Sequence, residues 1–219
     1  MARGKASRRL RERIIREDGL SHGYHSRAYH RHFEGYRETE VIDAKGRTRI
    51  KRDYVGEWYS QDLTCGKRIA LKIALAALWA LTVAVFVFTA SRVTYANASW
   101  YVTISEFGIV AGFLWTVVSL VLYLTAPAKM TIGDYRSASK GVLRGSLCIA
   151  GFSLLTMLLT ALHALLGSET WTGELLCCVG FLAAMVLAVF MNRLEANVPY
   201  IRTPSAEAPP EDSVIMGED

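Results

Sequence analysis

"IALKIALAALWALTVAVFVFTA", residues Ile69–Ala90, decides the fold. Its one charge, Lys72, sits near the start. A surface helix of a soluble protein keeps a polar face, and this run has none. At roughly 1.5 Å per residue, about 20 apolar residues cross the hydrocarbon core of a bilayer. Three further runs have the necessary length: Val102–Leu124, Val142–Leu166 and Trp171–Met191. The chain therefore reads as an all-α membrane protein, a four-helix transmembrane bundle.

The flanks of this core are of a different character. Of 219 residues 52% are hydrophobic, yet 21% are charged, so oil and charge must be segregated. Four regions follow. Residues 1–32 form a basic, partly disordered tail, and 33–68 a hairpin and juxtamembrane segment. Residues 69–191 hold the four crossings, and 192–219 an acidic disordered tail. Residues 1–68 contain no early apolar segment of the kind a cleaved signal peptide needs. The first run is thus expected to act as its own insertion signal.

Lysine and arginine set the orientation. Seventeen precede the first run, from Arg3 to Arg68. The connection between the second and third runs carries Lys129, Arg136 and Lys140, with Arg144 just inside the third run. Arg193 and Arg202 follow the fourth. The other two connections hold only Arg92. Both termini and the middle connection are therefore expected in the cytoplasm, and the compact loops suit a bacterial inner membrane.

Within the N-terminal region, "KASRRLRERIIRED" reads as a short basic helix with Leu10 and Ile14 on one face. It suits anionic headgroups or remains a solvated tail. His30 and His32 follow, but no further ligand at metal-site spacing joins them. Val41 and Ile42 then precede Asp43-Ala44-Lys45-Gly46, and Thr48, Ile50 and Tyr54 come after it. This pattern reads as a small cytoplasmic β-hairpin. A lone hairpin is marginal in water and needs a surface to lean on. The acidic "TPSAEAPPEDSVIMGED" at the other end is expected to stay unstructured.

Polar residues inside the runs are the remaining signal. Ser146, Ser153, Thr156, Thr160, His163 and Gly167 recur in steps of seven, three, four, three and four, which places them on one helical face. Such a face turns toward other helices and not toward lipid. It serves either as a packing seam or as the wall of a solute path. Gly108 and Gly112, with Gly180 and Ala184, are small-residue ridges of the packing kind. Tyr123 is expected at the inner membrane interface. Trp100, Tyr101 and Trp171 are expected at the outer one. Glu106, His163 and Glu174 fall at a similar depth near the outer end and form a candidate polar cluster for a cation or proton.

No cofactor motif and no enzyme signature appears: no phosphate-binding glycine loop, no H-E-x-x-H, no G-x-S-x-G. The four cysteines, two of them adjacent, suit neither a bridge nor a metal site. No nucleic-acid-binding fold accompanies the basic segment. The expected function is a noncatalytic accessory or scaffold subunit that presents its cytoplasmic N-terminal region to a partner. The expected partners are membrane lipid and another membrane or cytoplasmic protein, or a second copy. The alternative is an oligomeric transporter or channel subunit using the polar face of the third helix.

Overall fold

The computed structural model describes residues 34–42, 48–166 and 171–204. The basic helix, the histidine pair, the hairpin turn at 43–47, Gly167 and the tail from 205 on lie outside the described residues. The protein is mostly helical, with four long helices and small β-sheets. Strand β1 (Tyr36–Ile42) pairs antiparallel with β2 (Thr48–Tyr54). β3 (Trp58–Gln61) leads into α1 (Cys65–Ala90), followed by α2 (Trp100–Thr125). The two-residue β4 (Lys129–Met130) precedes α3 (Ile132–Leu165). α4 (Trp171–Ala196) and β5 (Tyr200–Thr203) follow. All four helices are long and apolar enough to cross a membrane.

The chain divides into two compact units. One holds the described residues up to Tyr59, with Met130–Gly133 and those from Arg202 on. The other comprises Ser60–Lys129 and Asp134–Ile201.

In the first unit the hairpin has the register Tyr36↔Tyr54 through Ile42↔Thr48. That register sets Arg37 opposite Asp53 and Glu38 opposite Arg52. The base of the hairpin is fixed by one tyrosine. The Tyr54 ring stands edge-on to Tyr36 at 5.0 Å and to Trp58 at 4.8 Å. Its hydroxyl donates to the Glu57 carbonyl at 2.6 Å and accepts the Ile132 amide at 3.0 Å. The middle connection thus supplies part of the surface the hairpin needs. Gly35 closes the turn at φ +79°, where a Cβ would meet the Tyr54 ring at 3.0 Å and Gly56 Cα at 3.2 Å. Only glycine fits that conformation and that space.

In the second unit each helix buries one stripe. On α4 it runs Glu174, Cys177, Phe181, Ala184, Ala188, Met191, Glu195. On α2 it includes Val102, Ser105, Ile109, Gly112, Thr116, Ser119 and Tyr123, and on α3 Ser139 through Thr160 at the same spacing. Alternating steps of three and four keep a seam facing its neighbours. Phe86 of α1, Phe113 of α2, Ile149 of α3 and Phe181 of α4 meet in one core cluster. The opposite faces are apolar as well. Ile73, Phe107, Leu114, Val118 and Leu158 all stand more than half exposed. Polar side chains inward and oil outward is the reverse of a soluble domain.

Lys72 has a structural role. Its ammonium donates to the carbonyls of Leu124 at 2.8 Å and Ala126 at 3.1 Å, which are left open where α2 ends.

The sequence reading needs four corrections. α3 starts at Ile132, so the connection read before the third run at Val142 is helical from Ile132 on. Arg136 and Lys140 kept it out of the apolar count. α4 continues past Met191 to Ala196. Residues 200–203, placed within a disordered tail, form β5. A three-stranded sheet, in the order β4-β3-β5, stands beside the anticipated hairpin.

Candidate functional site

The polar face of α3 lies inside the helix group: Ser146, Ser153, Thr156 and Thr160 are fully buried. Thr156 donates to the Phe152 carbonyl at 2.8 Å and Thr160 to the Thr156 carbonyl at 2.9 Å, each one turn back. The Ser105 and Thr156 hydroxyls meet at 2.8 Å, joining α2 to α3. Only Ser153 Oγ on this face lacks a partner among the described residues. Bonding back to the preceding turn is the usual way a buried hydroxyl avoids an unsatisfied proton. The small-residue ridges lie at close approaches. A Cβ on Gly112 would reach the Ile149 backbone nitrogen at 3.2 Å. One on Gly108 would enter the Phe152 ring, and one on Gly180 would meet the Thr89 side chain. Ala184 is fully buried on α4.

In the first turn of α4, Glu174 is fully buried. Its Oε1 accepts the Ala96 amide at 3.0 Å, and its Oε2 has no partner among the described residues. This bond pins the connection between α1 and α2 to the start of α4. Asn97 adds to it, donating from Nδ2 to the carbonyls of Thr89 at 3.2 Å and Arg92 at 3.0 Å. Cys177 lies against the same knot, 3.9 Å from the Thr89 carbonyl. His163 has a different neighbour: its Nδ1 and the Tyr101 hydroxyl are 2.6 Å apart. Glu106 is half-buried, and its Oε1 has no partner among the described residues. Glu106, His163 and Glu174 therefore occupy three separate hydrogen-bonding situations. Among the described residues no three His, Cys, Asp or Glu converge as a metal site. Arg92 does not pair with Glu106, and its guanidinium lies 4.1 Å over the Phe88 ring.

A second polar centre, at the other end of the helices, escaped the sequence reading. Glu195, on the last turn of α4, is 1% exposed. Its Oε1 accepts from Ser139 Oγ of α3 at 2.5 Å and from the Tyr200 hydroxyl of β5 at 2.6 Å. Gln61 of β3 donates from Nε2 to the Tyr123 hydroxyl at 2.8 Å and to the Tyr200 hydroxyl at 3.2 Å. Tyr123, at the end of α2, is 1% exposed within this group. Trp100 and Trp171 are 73% and 55% exposed. The signal for Glu195 was the stripe itself. Carried one step beyond Met191, the alternation of three and four lands on residue 195.

Burial pushes the Tyr200 phenol above the usual tyrosine range, reinforced by the nearby Glu195 carboxylate. Burial also raises Tyr54, against the opposing pull of the Ile132 amide. Both phenols therefore stay protonated donors at neutral pH. A tyrosine raised in the folded state contributes stability below its unfolded value of about 10 and loses it as pH climbs beyond. The hairpin base is expected to loosen above that pH, and Tyr54→Phe to loosen it at neutral pH. That variant leaves the Ile132 amide without its acceptor. Its exchange protection should fall roughly tenfold, measured by hydrogen exchange.

No protein-family model, curated protein or solved structure matches the chain.

Proposed function

We propose that the chain is a multi-pass integral membrane protein that works without catalysis, as an accessory or scaffold subunit. Its four helices cross the membrane as a bundle, a bacterial inner membrane being the best match, with both termini in the cytoplasm. The hairpin region is presented there to a partner protein. The outward oil of the helices supports insertion, because exposing so many large apolar side chains to water is unfavourable. The lysine and arginine asymmetry supports the orientation.

The observation that carries the partner reading is the hairpin. Among the described residues β1 and β2 form a sheet of two strands only, seven residues each. A two-stranded sheet gains independent stability from a third strand or a packed surface. The Tyr54 hydroxyl and the Ile132 amide hold its base. The inward-bonded hydroxyls of α3 favour a packing seam over a solute path.

The test is site-specific photocrosslinking from residues 33–60 in native membranes, followed by mild-detergent purification and mass spectrometry. A stoichiometric second protein caught through this segment is the expected result. Self-crosslinks alone, running through α3, would overturn the reading in favour of a homo-oligomeric pore or carrier.

A further inference from the structure

The Glu195 carboxyl has only hydroxyl partners among the described residues. Four elements beside α4 contribute directly to it or to its tyrosines: α3 through Ser139, β5 through Tyr200, α2 through Tyr123 and β3 through Gln61. Every hydrogen-bond partner of the carboxylate among the described residues is a neutral hydroxyl. Among the described residues no lysine or arginine pairs with it. A buried carboxylate is ordinarily paired with a positive group, because desolvation otherwise penalises the charge heavily.

Two oxygens in this centre also lack donors. Glu195 Oε2 and Gln61 Oε1 are buried and have no partner among the described residues. Both belong to side chains that share the Tyr200 hydroxyl. Buried acceptors left open in a native fold call for a specific explanation, such as a bound ion. Here the open atoms are all oxygens, the donors suited to hard cations. There is one carboxylate, and no cluster of three His, Cys, Asp or Glu occurs among the described residues. That donor set suits a single positive charge. Divalent ions are usually held by more carboxylates, and zinc or iron by nitrogen or sulfur.

We infer that Glu195 and Gln61 form a binding site for a small monovalent alkali cation, held between the end of α4 and strands β3 and β5. The cation completes the Glu195 carboxylate and takes the Gln61 carbonyl oxygen as a second ligand. Binding ties β3 and β5 to the helices, so the ion acts as a stabilising ligand of the folded chain. This site is independent of the partner proposal.

The experiment uses the full chain purified in mild detergent. Thermal unfolding is followed by tryptophan fluorescence in sodium, potassium, lithium or choline chloride at constant ionic strength and pH. A saturable rise in Tm is expected with one of the small cations relative to choline. At a hundredfold excess over Kd it should reach roughly 5–10 °C. Glu195→Gln keeps the shape and removes the charge, and should abolish the cation-dependent part of Tm. Gln61→Leu removes only the second ligand, and should move the midpoint at least about tenfold to higher concentration. It keeps the test decisive if the first variant fails to fold. The same Tm in choline and in all three alkali cations would overturn the site. So would a cation effect that survives in whichever variants fold. A Tm insensitive to the cation but shifted by pH in the native chain alone would also overturn it, assigning the position to a proton.

Discussion

Gly145→Val is expected to destabilise the folded chain by about 3 kcal/mol, the upper part of the range for overpacking a close-packed interior. Gly145 of α3 faces α2 at Thr116. A Cβ there would stand 3.2 Å from both the Thr116 Cα and its Cβ, and closer still to the hydroxyl. That hydroxyl is already committed to the Gly112 carbonyl at 2.7 Å, so it cannot swing away without losing a bond. Relief requires the two backbones to separate. Separation would propagate along the seam, because Gly112 is packed just as tightly on Ile149 and Gly141 on Ser119. The control is Gly151 on the outward face of α3, where an added Cβ meets nothing within 4 Å. Gly151→Ala should be neutral, or stabilising by up to about 1 kcal/mol, through helix propensity alone. Unfolding in mixed micelles with increasing denaturing detergent measures both. Equal stability of Gly145→Val and Gly151→Ala would mean that the seam is looser than described.

Glu174→Ala should produce the second large effect, about 2–3 kcal/mol, concentrated at the start of α4. The substitution leaves the fully buried Ala96 amide without an acceptor, and an orphaned buried donor costs about 1–3 kcal/mol. It also opens a void at the head of the α4 stripe. Part of this is offset, because the carboxylate itself is buried with one oxygen unpartnered. Glu174→Gln separates the two contributions. It keeps an acceptor for Ala96 and sheds the charge, so it should stay within about 1 kcal/mol of the native chain. The local readout is Cys177, fully buried one turn along α4. With Cys65, Cys148 and Cys178 replaced, maleimide labelling of Cys177 should accelerate about tenfold or more in Glu174→Ala and change little in Glu174→Gln.

Hydropathy revealed the parts of this molecule that are uniform over many residues. Each of the four apolar runs matches a helix, because twenty consecutive apolar residues leave few alternatives. The helix ends were less legible, and for one reason. Arg136 and Lys140 in α3, and Asn192 and Glu195 in α4, lower the apolar count, yet all four lie within the helices. Asn192 even bonds inward, to the Leu143 carbonyl at 2.8 Å and to Ser146 at 3.0 Å. The hairpin strands were visible because their partners are close in sequence. The β4-β3-β5 sheet was not, since β4 is two residues long and its sheet gathers segments from distant parts of the chain. Glu174 was legible as a polar residue near the start of the fourth run. Its partner, a backbone amide in the connection before α2, carries no sequence signature. Tyr123 was read from its position at the end of a run, and the Gln61 amide that binds it could not be anticipated.

The measurement that tests the membrane account most directly is single-cysteine labelling of intact cells with a membrane-impermeant maleimide, in a chain freed of its four native cysteines. Tyr95→Cys and Ser168→Cys, in the two outer connections, should label without permeabilisation. Arg37→Cys in the hairpin and Ala128→Cys in the middle connection should label only after the membrane is opened. Labelling of Arg37→Cys or Ala128→Cys in intact cells, or protection of Tyr95→Cys until lysis, would contradict the four-crossing arrangement with cytoplasmic termini.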